Sequence, residues 1–169
     1  MTTRADAQEL GLLARLVVAF AVLLVAAGVV WHGITVQTLQ RFWRDLAARP
    51  GGPMSFRFIL QPAMAAIAAF LDGRRDAASG RSPYFWGLVR DRGERLGRLR
   101  EGLNGTARII LLGIAMDVIY QALVLRTFYP TEALVVALLL AFVPYILLRG
   151  PFARAARRWR RRATPPGPS

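Results

Sequence analysis

The residue best suited to chemistry is an aspartate inside an apolar segment. Asp117 lies at the centre of residues 109–125, which are otherwise almost entirely apolar. A carboxylate in the middle of a bilayer is costly, so such a group faces other helices or a water-filled cavity. Helical spacing places it on one polar stripe, which consists of Gly113, Asp117, Tyr120 and Gln121.

Two roles fit this stripe. Asp117 could relay protons or cations, or its carboxyl could hold helices together through hydrogen bonds, as polar side chains do in membranes. We favour the structural role because the chain offers few other polar positions from which to build a pathway, although oligomerisation could supply more. In that role Asp117→Asn should preserve assembly, since asparagine can replace the hydrogen bond.

Two further aspartates, Asp72 and Asp76, invite comparison with the CDP-alcohol phosphatidyltransferases. Those enzymes use several aspartates to hold a divalent metal at the membrane surface. Asp91 follows one residue late for that pattern, and Ala69 and Arg95 stand where two more aspartates belong. Because two or three carboxylates are too few for such a site, we predict no catalytic residue, no metal and no cofactor. A lipid-modifying enzyme that uses the Asp72 region is the third functional alternative, after a structural protein and a transport component.

Composition excludes several other kinds of site. The chain contains no cysteine, which rules out disulfides, thiolate metal sites, iron–sulfur clusters and a cysteine nucleophile. It has one histidine, His32, so a His-rich zinc site within one chain is also excluded. Beside Trp31 at the end of an apolar segment, His32 fits an anchor at the membrane surface.

The net charge of +13 comes entirely from arginine, because all 23 basic residues are arginines. An excess of basic residues can bind nucleic acid or anionic lipid. Because long apolar segments accompany it, we predict binding to lipid and not to nucleic acid. The C-terminal tail should contact anionic headgroups through Arg154, Arg157, Arg158, Trp159, Arg160, Arg161 and Arg162.

These residues are placed by helices. Three segments approach the roughly 20 apolar residues that a spanning helix needs, and they cover 16–34, 109–125 and 133–148. The apolar block 58–71 is short and contains Pro62, so we predict that it does not cross. Further helical periodicity follows residue 34, and an amphipathic helix over 82–103 should lie on the cytoplasmic surface, ending at Asn104-Gly105. Gly150-Pro151 should end the last span.

The sequence therefore predicts an all-α integral membrane protein with about three transmembrane helices. Interfacial or half-buried amphipathic helices accompany them on the cytoplasmic side. Residues 1–162 form one domain, and residues 163–169 form a disordered tail.

Arginine asymmetry predicts the orientation. Three spans with a cytoplasmic C-terminus put the N-terminus outside, with only Arg4, Arg15 and Arg126 on the outer side. If residues 58–71 also crossed, Arg41, Arg44, Arg49 and Arg57 would face outward, and this four-span topology is the alternative.

A resemblance supports a bacterial origin. Asp72-Gly73, Asp76-Ala77, Gly80-Arg81 and Pro83-Tyr84, then residues 117–121, 143–145 and 149–151, resemble a group of small uncharacterised bacterial inner-membrane proteins. The likeness covers roughly the last two-thirds of the chain and implies a multi-pass protein of the inner membrane. We expect a non-catalytic subunit or accessory protein that docks on anionic lipid and packs against itself or another membrane protein. The alternative is a transport or proton-conducting component that uses Asp117.

Overall fold

The computed structural model describes residues 4–33, 35–52, 54–80, 84–85, 88, 93 and 95–163, with backbone alone for 4–10, 161 and 163. All regular elements in these ranges are helical, which confirms the all-α class. Three helices are long and apolar enough to cross a membrane, as predicted, and they cover Gly11–His32, Arg95–Leu125 and Pro130–Arg160.

The first two helices meet at a sharp turn. Helix α1 (Arg4–His32) ends at Gly33, whose φ of +62° is the left-handed conformation that commonly terminates helices. Helix α2 (Val36–Ala48) begins after Thr35, whose hydroxyl caps it by accepting a hydrogen bond from the Thr38 N–H at 3.1 Å. The periodicity after residue 34 therefore belongs to a separate helix.

The short apolar block is part of a longer helix than expected. After a 3₁₀ turn (Arg49–Gly51), helix α3 (Arg57–Ala78) runs for 22 residues and includes Pro62. The helix continues through Asp72-Gly73. Gly73 packs within contact distance of another helix, where a small residue is needed. The inner face of α3 carries Ala65, Ala69 and Gly73 at four-residue spacing, all buried.

The surface helix predicted over 82–103 was expected to end at Asn104-Gly105, and that end is wrong. Helix α4 (Arg95–Tyr120) runs without a break through Asn104-Gly105 and continues as a π turn (Gln121–Leu125). A Cβ at Gly105 would lie 2.9 Å from the Tyr145 hydroxyl and 3.0 Å from Asp72 Oδ2. This glycine therefore permits close packing inside a helix rather than ending one. Most of residues 81–94 lie outside the described residues.

The last span also extends further than its apolar segment. Helix α5 (Pro130–Ala137), a π turn (Leu138–Phe142) and helix α6 (Val143–Ala163) form one continuous rod. Gly150-Pro151 does not end it, and Pro151 lies exposed within α6. The predicted tail lies outside the described residues except for Ala163, which ends α6.

The long helices pack side by side with alternating directions. His32 at the end of α1 bonds Phe128 in the connection between α4 and α5, so α1 and α4 finish at the same end. Helix α3 runs the opposite way, because its first residue, Arg57, pairs with Asp117 of α4 while Asp76 near its end pairs with Arg149 of α6. We call the end that holds α2 and residues 126–129 the α2 end, and the opposite one the arginine-rich end.

All four long elements expose large apolar side chains between these two ends. The exposed set includes Val18, Val22 and Val29 on α1, Ile59, Ile67 and Phe70 on α3, Leu112 and Ile119 on α4, and Leu139, Val143 and Leu147 on the last rod. Helix α3 thus shares the apolar outer surface of the three predicted spans. Among the described residues, the start of α1 and the end of α6 lie at the same, arginine-rich end of the bundle.

We predict that Gly73→Ala destabilises the protein. A Cβ there would lie 2.9 Å from the Arg149 carbonyl oxygen and 3.0 Å from the Ala153 nitrogen, so α3 and α6 would have to separate. We expect a cost of about 1–3 kcal/mol, typical of overpacking. The measurement is thermal unfolding of the full chain in mild detergent.

The matched control is Gly97→Ala in α4, where a Cβ meets nothing within 4 Å. That change should be neutral or stabilising, because alanine favours helix over glycine by up to about 1 kcal/mol. Equal unfolding temperatures for the two variants would contradict close α3–α6 packing.

Candidate functional site

The predicted polar stripe is buried at the meeting point of α3, α4 and the segment that joins α2 to α3. Asp117 is 0% exposed. Its carboxylate accepts hydrogen bonds from Arg49 and, at 2.6 Å, from the Gln121 amide, and its Oδ1 lies 2.5 Å from Arg57 Nη2. The guanidinium carbons of both arginines lie about 5 Å from the centre of the Tyr120 ring. Thus Asp117 is bound by two cations that lie 60 and 68 residues away in sequence.

A second buried acid extends this network. Glu132, 4% exposed, contacts Arg49 Nη2 at 3.0 Å and Arg41 Nη2 at 2.8 Å. The Arg41 guanidinium also stacks on the ring of Tyr129, 3.3 Å from its centre. The sequence analysis did not single out Glu132, because its arginine partners are distant in sequence. We call Arg41, Arg49, Arg57, Asp117, Glu132 and Gln121 the Asp117 network.

Gln121 closes the connection between α4 and α5. Its Oε1 accepts a hydrogen bond from the Tyr129 N–H at 2.6 Å, and its Nε2 lies 3.2 Å from the Tyr129 carbonyl. His32 Nε2 donates to the Phe128 carbonyl at 2.9 Å, which ties the end of α1 to the same connection. The lone histidine is therefore held by backbone at this end of the bundle.

Gly113, the remaining member of the stripe, makes room for a buried glutamine of α3. A Cβ at Gly113 would lie 2.9 Å from Gln61 Nε2 and 3.0 Å from Ala137 Cβ. Gln61 is 1% exposed, and neither of its amide atoms has a hydrogen-bond partner among the described residues. Such a group is expensive to bury, so Gln61 contributes polarity to this interface without stabilising it.

Arg149 organises a second network at the arginine-rich end. This side chain is 1% exposed and holds Asp76 through two bonds, of 2.8 Å from Nε and 2.9 Å from Nη2. The same guanidinium donates to Glu101 at 2.5 Å and to the Tyr145 hydroxyl at 2.7 Å. A bidentate arginine–carboxylate pair is among the stronger polar contacts in proteins. It fixes the end of α3 against α4 and α6.

The region compared with phosphatidyltransferases is occupied by this second network. Asp72 accepts hydrogen bonds from Tyr145 at 2.7 Å and from Arg75 at 3.1 Å. No group of three or more histidines and acids that could hold a metal is found among the described side chains, and Asp91 lies outside them. A polar groove of about 620 Å³ borders Asp72, Glu101 and Arg149. Its acids already have arginine or tyrosine partners.

Tyr84 covers the second network from the segment between α3 and α4. Its ring centre lies 4.3 Å from the Arg149 guanidinium carbon, and its hydroxyl donates to the Arg98 carbonyl. Burial raises the pKa of Tyr84 to about 12, although the nearby positive charge of Arg149 acts in the opposite direction. The phenol is therefore neutral at physiological pH and acts as a hydrogen-bond donor.

The predicted lipid-binding arginines lie on the last turns of α6. Arg154, Arg158 and Arg162 follow at four-residue spacing and are exposed, and Trp159 beside them is 79% exposed. Arg157 is half-buried and Arg160 is exposed, while the side chain of Arg161 lies outside the described part. An exposed cationic stripe with a neighbouring indole is suited to a membrane surface.

These contacts revise the expectation for Asp117. Asparagine keeps the shape and can still bond Gln121, but it leaves Arg49 and Arg57 without their shared negative charge. We now predict that Asp117→Asn destabilises the protein by about 3–5 kcal/mol, the usual cost of removing one partner from a buried ion pair. Thermal unfolding in mild detergent is the measurement.

Gln61→Met on the facing helix is the control, since it removes a buried polar group that has no partner. It should be neutral or stabilising by up to about 1–3 kcal/mol. Wild-type stability of Asp117→Asn would show that hydrogen bonding alone accounts for the role of Asp117.

Comparison with protein families, with curated proteins and with solved structures finds no match for this chain. Both networks consist of side chains that are engaged with one another, and their common effect is to fix α3 against its neighbours.

Proposed function

We propose that this protein is a non-catalytic multi-pass protein of a bacterial inner membrane that crosses the bilayer four times. Support comes from α3, which has 22 residues and shares the apolar outer surface of the three apolar helices. At about 1.5 Å per residue it is roughly 33 Å long, which is sufficient for the hydrocarbon layer. Near its two ends, Arg57 and Asp76 are neutralised by partners inside the bundle, while Arg74 and Arg75 are exposed at the arginine-rich end.

The orientation that we propose places both chain ends in the cytoplasm. Arginines near the α2 end do not oppose it, because Arg41, Arg49 and Arg57 are paired with Asp117 or Glu132. Among the described residues this leaves Arg44 and Arg126 exposed at that end. Beyond the paired Arg149, the arginine-rich end carries six arginines from Arg154 onward, with no acid among them. The positive-inside rule then directs that end to the cytoplasm.

The activity that we propose is docking on anionic lipid by the end of α6. The observation that carries it is the exposed stripe of Arg154, Arg158 and Arg162 beside Trp159, directly beyond the apolar part of the rod. Arginines near an anionic surface contribute about 1 kcal/mol each, and the indole favours the headgroup layer. A docked membrane protein of this kind would act as a subunit or accessory protein.

The surface most suited to a protein partner or a second copy is α1. In the apolar part of α1, 22% of the residues are buried, compared with 39% in each of the other two apolar helices. A transport role for Asp117 is less well supported, because both of its oxygens are already engaged by Arg49, Arg57 and Gln121.

Lipid docking is tested by crosslinking in the membrane. A photoreactive side chain at Ala155, which is exposed among the arginines, should capture anionic phosphatidylglycerol in preference to phosphatidylcholine. Arg158→Gln should reduce this preference about fivefold, as the loss of roughly 1 kcal/mol implies. Added salt should reduce it as well.

Arg126→Gln is the matched control, because it removes the same charge from an exposed arginine at the opposite end. It should leave crosslinking at Ala155 unchanged. Equal capture of both lipids by the wild-type protein, or an equal loss in both variants, would contradict docking by charge.

A further inference from the structure

A cavity lies beneath α2, away from the arginine-rich end. It has a volume of about 310 Å³ and is enclosed by the last turns of α1, the inner side of α2 and the first turns of α5. That volume is at the lower end of the range for sites that hold organic ligands. Its walls are mainly apolar and include Val25, Val29, Leu39, Phe42 and Val135.

The mouth of this cavity opens onto the apolar outer surface of the bundle. Three wall residues are also large exposed apolar residues: Val25 and Val29, each 42% exposed, and Leu39, 56% exposed. They continue the exposed apolar surface that includes the rest of α1. In a membrane this opening faces lipid, so the molecule that can enter it is apolar and comes from the bilayer.

Polar groups line the cavity on two sides: those of α2 face His32, Tyr129, Thr131 and Glu132, and Glu132 is paired with Arg41. Arg41 forms part of the wall beside Thr35 and Thr38, whose hydroxyls are 2.8 Å apart. Arg44 lies one helical turn further along α2 than Arg41, and its side chain is 78% exposed. Positive charge and hydroxyl groups at the edge of an apolar cavity match the phosphate and ester groups of a phospholipid whose chain enters the cavity.

The packing of α2 supports a lipid occupant. None of its residues is buried, and its apolar side chains Val36, Leu39 and Trp43 are between 56% and 72% exposed. Such an amphipathic helix is suited to lie in the headgroup layer with its apolar face toward acyl chains. The cavity lies where that layer would meet α1.

We propose that this cavity binds one acyl chain of an anionic phospholipid, with the phosphate held near the exposed Arg44. The site is independent of lipid docking by the end of α6, because it lies at the opposite end of the bundle. It would attach α2 to the leaflet on that side.

The test uses the full-length protein purified in mild detergent, stripped of lipid and then supplied with phosphatidylglycerol or phosphatidylcholine. Native mass spectrometry should show one phosphatidylglycerol per chain that survives detergent exchange. Val29→Phe fills the cavity and should reduce this retained fraction at least tenfold. Val30→Phe is the control, because the neighbouring Val30 is 79% exposed and does not line the cavity.

Two more variants complete the test. Leu39→Trp fills the cavity from α2, which carries no buried residue, so it should abolish retention even if Val29→Phe disturbs α1. Arg158→Gln should leave retention unchanged, which separates this site from the one at the end of α6. Absence of a retained phospholipid in the wild-type protein, or retention by both filled variants, would overturn the proposal.

Discussion

The fold depends on the ion pairs that Asp117 makes with Arg49 and Arg57. An aspartate inside an apolar helix is costly unless an opposite charge accompanies it, and here both cations come from the segment around the start of α3. Their attraction fixes the beginning of α3 beside the second half of α4. Arg149 does the equivalent for the other end of α3 through Asp76. Helix α3 is thus held at each end by a buried pair of opposite charges.

Small residues on the inner face of α3 also hold this helix against its neighbours. Between its two charged ends, the inner face of α3 consists of Ala65, Ala69 and Gly73, which let its backbone approach α6. The hydrophobic effect contributes little to helix association in lipid, so close packing and polar contacts stabilise it. The outer face of α3 carries exposed apolar side chains, and Arg57 and Asp76 near its ends have partners of opposite charge inside the bundle.

The sequence predicted the helical class, the three apolar helices and the burial of the stripe around Asp117, because long apolar segments and a central carboxylate are local signals. The partners of Asp117 were not predicted, since Arg49 and Arg57 resembled ordinary surface arginines. Gly105 failed as a helix end because its close contacts with Tyr145 and Asp72 outweigh local preference.

The measurement that tests this account most directly is the location of the two ends of α3. The natural chain has no cysteine, so Gly51→Cys and Ser79→Cys each introduce a single, exposed thiol on either side of that helix. A maleimide that cannot cross the membrane should label the first from the outside of intact cells and the second only after the cytoplasmic face is opened. Labelling of both positions from the same side would show that α3 does not cross, and would contradict the proposal that buried ion pairs allow this helix to span the bilayer.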